Sequence, residues 1–138
     1  MTIEALSSTA ASFPDVEVDY EDLLELRHRM DGRGADGTVD CLGLLLLIYR
    51  RAGLGLPDPK ASGGSLDDFQ DMFDPISTPD TIFDVVYVRR EQGHIMTVVR
   101  PGLLISAKAR TGVYTQRVNH IKTISDVTFW RIRDELLP

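Results

Sequence analysis

The chain has a single cysteine, Cys41, among 138 residues. One cysteine excludes an internal disulfide, and with only three histidines, His28, His94 and His120, no structural zinc pattern can be assembled. Basic residues are also short: fifteen Lys and Arg face twenty-one Asp and Glu, a formal charge of −6. That balance argues against nucleic acid or an anionic membrane surface as the main partner. The longest apolar run, Leu42 to Tyr49, is far too short to span a bilayer. Met1-Thr2-Ile3-Glu4 lacks a basic start and no apolar stretch of signal length follows, so export by a cleaved signal is not expected. No internal repeat is visible. The glycines of Asp31-Gly32-Arg33-Gly34-Ala35-Asp36-Gly37-Thr38 resemble a phosphate loop only superficially, because no Lys-Ser/Thr follows. The acidic residues Asp67-Asp68 and Asp71 to Asp74 lack the alternating spacing of a calcium loop and read as a solvated helix face. No cofactor and no metal are expected.

What remains is an ordinary globular composition, 43% hydrophobic and 26% charged, in a chain long enough for one domain with a core of its own. Residues 1–18, with Ser7-Ser8-Thr9-Ala10-Ala11-Ser12 and Pro14, read as an N-terminal arm, and 19–138 as the domain. A helix is expected after Asp19, capped with Asp22, carrying Leu23, Leu24 and Leu26 towards Met30. A second is expected from Cys41, with Asp40 as N-cap and Gly53 closing it. A third, short one is expected over Leu66, Phe69, Met72 and Phe73, capped by Ser65 and Asp68 and ended by Pro75.

From residue 82 the hydrophobic period becomes two. Phe83–Arg89, His94–Val99, Leu103–Lys108, Val113–Val118 and Thr128–Arg133 read as five strands. The first four are separated by short breaks at Glu91-Gln92-Gly93, Arg100-Pro101-Gly102 and Arg110-Thr111-Gly112, so they must be antiparallel neighbours. The fold class is α+β: helices first, then a five-stranded antiparallel sheet.

Cys41 carries the chemistry on offer. At a helix start a thiol meets unpaired N–H groups and the positive end of the helix dipole, which should lower its pKa. The bland alternative is a small core hydrophobe. Yet Cys41 precedes the leucine-rich segment instead of lying within it, and Gly43 leaves room for a substrate. His94, opening a later strand, supplies a candidate base. His28 and His120 read as solvated.

These residues resemble a known family. Asp40-Cys41-Leu42-Gly43-Leu44, a leucine-rich helix, then Tyr49-Arg50-Arg51-Ala52-Gly53-Leu54-Gly55-Leu56-Pro57 are similar to the NlpC/P60 cysteine peptidases of cell-wall metabolism. Asp84-Val85-Val86-Tyr87-Val88 resembles the family's Gly-Asp-Val-Val-Phe strand, with Phe83 in place of glycine. Gly93-His94-Ile95-Met96-Thr97-Val98-Val99 and Phe129-Trp130-Arg131-Ile132 resemble two more of its strands. The resemblance implies a papain-like fold and hydrolysis of amide bonds in peptidoglycan stem peptides, commonly the one between D-glutamate and the diamino acid. Cys41 would be nucleophile, His94 general base, and Ser106 would take the place of the polar residue that orients the histidine. A tyrosine expected upstream of the cysteine is absent, its position falling on Arg29 beside His28. Small members without a signal are typical of phage and prophage tails. The implied setting is therefore synthesis in the bacterial cytoplasm and incorporation into a virion, with tail-tip proteins and a peptidoglycan peptide as partners. A rival reading keeps the fold as a weakened or inactive tail-tip subunit, and a third makes Cys41 the core residue of an unrelated binding module.

One hairpin decides whether Ser106 can serve. A three-residue Arg100-Pro101-Gly102 loop sets Met96 opposite Ser106 and His94 opposite Lys108, whereas a two-residue Pro101-Gly102 loop shifts the pairing by one and turns Ser106 to the other face. The first register is expected, with Gly102 left-handed.

Overall fold

The computed structural model describes residues 18–61, 63–89, 93–121 and 125–136. The expected arm and the break at 91–92 fall outside these, except that Val18 is described and buried.

The helix from Cys41 forms as its sequence dictates. Helix α1, Cys41–Arg51, starts where the Asp40 carboxylate accepts from Gly43 N at 2.7 Å. It ends at Gly53, φ +89°, with Gly53 N bonded to Arg50 O and Leu54 N to Tyr49 O. That pair of bonds is the Schellman arrangement, which glycine enters without strain. Leu42, Leu44, Leu45, Leu46, Ile48 and Tyr49 are buried, and α1 packs on β5 (His94–Arg100) and β6 (Leu103–Lys108).

The helix expected before it does not form. Glu21–Glu25 is a short 3-10 helix without a side-chain cap, and Leu26 is already extended. The reason is tertiary. Arg27 N bonds to Gly37 O and Arg29 N to Val39 O, so β1 (Arg27–His28) pairs in parallel with β2 (Thr38–Val39). Asp22, expected to cap, instead grips Arg51 at 2.6 and 2.8 Å, tying this segment to the end of α1.

The third helix is also 3-10, Leu66–Met72, and carries the Ser65/Asp68 capping box. It stops at Met72, and Pro75 does not end it. Phe73–Ile76 is instead a further strand, β3, containing Pro75. The main sheet therefore has six antiparallel strands, not five, in the order β3-β8-β4-β5-β6-β7, with β4 Val85–Val88, β7 Gly112–Arg117 and β8 Val127–Ile132. Proline is tolerated there because β3 is an edge.

The sheet has two unlike faces. Val85, Tyr87, Ile95, Ile105 and Ala107 join the α1 core. Val86, Val88, Met96, Val98 and Leu104 form a smaller cluster with Val118 and Ile121 of α2, Val118–Ile121. Strand β4 is anchored by a buried charge: Asp84, 1% exposed, takes a bidentate fork from Arg131 at 2.8 and 2.8 Å. The residue before it, Phe83, holds φ +80° where the family resemblance has glycine. A non-glycine residue is strained there by about 1–2 kcal/mol, which burial of its ring 5.1 Å from that of Tyr49 offsets.

The β5–β6 connection differs in detail from expectation. The turn is the two residues Pro101-Gly102, and the extra residue sits in a β-bulge between Val98 and Arg100. Thr97 nonetheless faces Ile105 and Val98 faces Leu104, and Gly102 has φ +80°. The paired register begins at Thr97–Ile105, and beyond it Ser106 Oγ reaches the carbonyl oxygen of Ile95 and the His94 ring.

Candidate active site

The residues ahead of α1 are fixed from behind. Asp40 is buried and both of its oxygens are engaged: Oδ1 accepts from Gly43 N and from Arg33 at 2.9 Å, and Oδ2 accepts from Asp31 N at 2.9 Å. Arg33 also bonds Gly32 O and Asp58. The glycine-rich loop is thus a brace clamped onto the helix start. Gly43 serves that brace and not, as its position suggests, the approach of a substrate. A Cβ there would lie 2.0 Å from the carbonyl oxygen of Gly32.

Cys41 opens onto a cleft of about 890 Å³ that is also lined by His28, His94, Met96, Lys108 and Tyr114. The backbone N–H of Ile95, the residue after His94, acts on the sulfur and favours the thiolate. Cys41 and His94, 53 positions apart in sequence, therefore meet in one cleft. The helix start does not lower the thiol pKa as expected. Burial pushes the Cys41 thiol up, the Asp40 charge pushes the same way, and the Ile95 N–H only partly offsets them.

His94 is held by two hydroxyls. Its Nε2 lies 3.0 Å from Ser106 Oγ and 2.9 Å from Tyr114 Oη. Counting protons assigns the tautomer. Ser106 Oγ is 2.5 Å from the carbonyl oxygen of Ile95, which can only accept, so the serine proton goes there. Ser106 then has none left for the imidazole, so its 3.0 Å contact is a hydrogen bond only when Nε2 carries the hydrogen; the tautomer is assigned from that contact, since the Tyr114 hydroxyl could itself donate to a bare Nε2. Among the described residues nothing bonds Nδ1, which is left as the basic nitrogen. Ser106 is itself 1% exposed. Its pairing with Tyr114 across β6 and β7 explains why both reach the same ring.

The imidazole is kept neutral. Burial, the Lys108 ammonium and His28, in that order, lower its pKa to about 4. Lys108 Nζ sits 4.7 Å from the centroid of the Tyr114 ring. Behind the cleft lining, Tyr87 donates to Asp67, and burial followed by that carboxylate raises the phenol pKa to about 12. Asp67 is thus a fastening of the 66–72 segment to the sheet and not merely part of a solvated face.

Of the residues singled out by sequence, Cys41, His94 and Ser106 are gathered at this cleft. Arg29 is not; it pairs with Asp36 on the surface. His28, expected to be solvated, is partly buried and lines the cleft, because its pairing with Val39 sets it beside the strand leading to Cys41. His120 is exposed as expected. Tyr114 was not singled out. The signal for it was the Arg110-Thr111-Gly112 break, which sets Tyr114 opposite Ser106 once that hairpin closes.

No protein-family model and no curated protein sequence matches this chain. Solved structures do. NlpC2 from Trichomonas vaginalis superposes with a TM-score of 0.62 at 18% identity over 96% of this chain and 48% of its own. NlpC1 from the same organism gives 0.62 at 19% identity, covering 95% and 46%. A protein described as similar to a lipoprotein of the NLP/P60 family, from Staphylococcus aureus, gives 0.58 at 16%, covering 94% and 43%. This chain spans under half the length of each. The fold is the α+β fold of NlpC/P60 proteins.

Proposed function

We propose that this chain is a cysteine peptidase or amidase that cleaves amide bonds in peptidoglycan stem peptides. The observation that carries this reading is the meeting of Cys41 and His94 in one cleft, with the histidine tautomer assigned so that Nδ1 is free. Because thiol and imidazole are both neutral at rest, attack and proton transfer are concerted. Sγ bonds to the carbonyl carbon while its proton passes to Nδ1, and the carbonyl π pair becomes an oxyanion beside the Cys41 backbone N–H. Nδ1–H then protonates the departing nitrogen as the C–N bond breaks. Water, deprotonated by Nδ1, attacks the thioester, and the thiol leaves with that proton. Ser106 and Tyr114 hold the ring throughout, but neither hydroxyl brings a negative charge to stabilise imidazolium, so turnover is slow.

The reading is tested by incubating purified sacculi and muropeptides with the protein and with Cys41→Ala, followed by mass spectrometry. New peptide termini with the wild type only are expected. No cleavage by either would overturn it. The second reading, a catalytically retired subunit of a phage or prophage tail tip, is favoured by the same neutral thiol and imidazole. In that setting the protein is made in the bacterial cytoplasm, is carried in the virion and contacts tail-tip proteins, and the active form would reach the wall the same way.

A further inference from the structure

We propose that Arg33 is a positioning residue for Cys41, acting through Asp40, and that Asp58 at the cleft rim governs how much of its charge reaches the nucleophile. This rests on Cys41 as the nucleophile of the proposed function and adds what controls it.

Asp40 stands directly before Cys41, and each of its oxygens leads to the segment 57–60. Oδ1 accepts from Arg33 Nη1 at 2.9 Å, and the same guanidinium gives Nε to Asp58 Oδ2 at 2.5 Å. Oδ2 accepts from the backbone N–H of Asp31, whose own carboxylate pairs with Lys60 at 2.6 Å. Asp58 Oδ1 accepts from Lys60 N at 3.0 Å, which ties the two arms together. Pro57 and Pro59 flank Asp58 and fix φ on either side of it, so the carboxylate is held by a stiff segment. Lys60 and Asp40 both line the cleft, and 57–60 is thus part of its rim. An exposed ion pair contributes little, but the Arg33 and Asp40 side chains are only 26% and 6% exposed. One cation therefore stands between two carboxylates, one behind the nucleophile and one at the rim.

The consequence for Cys41 is electrostatic. The Asp40 charge opposes formation of the thiolate, and Arg33 is the cation bonded to that carboxylate. Facing the thiol from other elements are His94 of β5, Lys108 of β6, Tyr114 of β7, Tyr87 of β4, His28 of β1 and Lys60 of the rim. These are a common background to any change at 33 or 58. Loss of Arg33 leaves Asp40 less compensated and disfavours the thiolate. Loss of the Asp58 charge leaves more of the guanidinium field to Asp40 and favours it. The two side chains act with opposite sign, whereas a loosened scaffold would move both variants the same way.

The test is the midpoint of Cys41 alkylation by iodoacetamide against pH. A change in access scales the whole curve, and a change in charge moves its midpoint. Arg33→Met should raise the midpoint by about half a pH unit, about threefold slower alkylation at pH 8. Arg33→Lys returns the charge without the fork and should recover most of that shift. Asp58→Asn should lower the midpoint, with alkylation about twofold faster at pH 8. In the Arg33→Met background it should move nothing, because its influence passes through the guanidinium. An unmoved midpoint in Arg33→Met, shifts of one sign in both single variants, or an Asp58→Asn shift that survives Arg33→Met overturns the inference. If circular dichroism shows Arg33→Met unfolded, Asp58→Asn decides alone: a lowered midpoint sustains the inference, and an unmoved or raised one overturns it. Alkylation needs no substrate, so failure to cleave muropeptides sinks the peptidase reading and leaves this one standing. Unmoved midpoints in a protein that cleaves them do the reverse.

Discussion

The resting state of Cys41 can be read directly by alkylation with iodoacetamide across pH. An ordinary thiol with a pKa near 8.5 is about 3% thiolate at pH 7. Here burial and Asp40 push the thiol above its usual value, so the reactive fraction at pH 7 is smaller still. An imidazole with a pKa of about 4 is protonated in only about one molecule in a thousand at pH 7, too rarely to stabilise a thiolate. The rate should therefore climb continuously through pH 8 and 9 with no plateau at lower pH. His94→Ala should leave this profile almost unchanged near neutrality, because the ring contributes no charge there. Lys108→Met removes the nearest permanent cation and should move the His94 midpoint upward, by more than His28→Gln does. An alkylation plateau below pH 7 that disappears in His94→Ala would demonstrate a thiolate–imidazolium pair. It would refute the neutral resting state and, with it, the concerted proton transfer.

Acid should weaken the fold through His94. The unfolded histidine takes its proton near 6.5 and the folded one only near 4, so this contribution is complete above pH 6.5 and is lost as pH falls towards 4. Urea unfolding at pH 7 and 4.5 should show wild type losing on the order of 2 kcal/mol more than His94→Gln. Arg131→Met strands the buried Asp84 carboxylate with little more than the Thr81 N–H at 2.9 Å, and chemical denaturation should register a loss of roughly 3–5 kcal/mol. Gly43→Ala puts a methyl against the Gly32 carbonyl, backbone on backbone. The brace must shift, costing about 1–3 kcal/mol despite the better helix former, and Cys41 alkylation should change with it.

The two segments where sequence and structure part share one cause. Residues 20 to 30 have helical apolar spacing, but Arg27 and Arg29 spend their N–H groups on Gly37 and Val39, a partner ten residues away that no local pattern reveals. Pro75 reads as a terminator because proline cannot donate, yet an outer strand has one side that needs no donor. The β5–β6 hairpin was legible in its register but not its mechanism, since a bulge and a longer loop absorb the same extra residue.

By itself the sequence determined what is encoded in short-range geometry. It set the Asp40 cap and Gly53 stop that put Cys41 first in its helix, and the alternation and turn residues that bring His94 and Ser106 to neighbouring strands. Whether those groups are charged was decided only by tertiary structure. The dipole argument for a lowered thiol pKa is local and sound as far as it goes, but a pKa is set by everything within several ångströms. Packing against Ile95 and the Lys108 ammonium come from distant parts of the chain, and the Asp40 carboxylate, adjacent in sequence, is buried only by the fold. Desolvation favours the uncharged form of both groups and outweighs the helix start, because removing water acts from all sides while the unpaired N–H groups act from one.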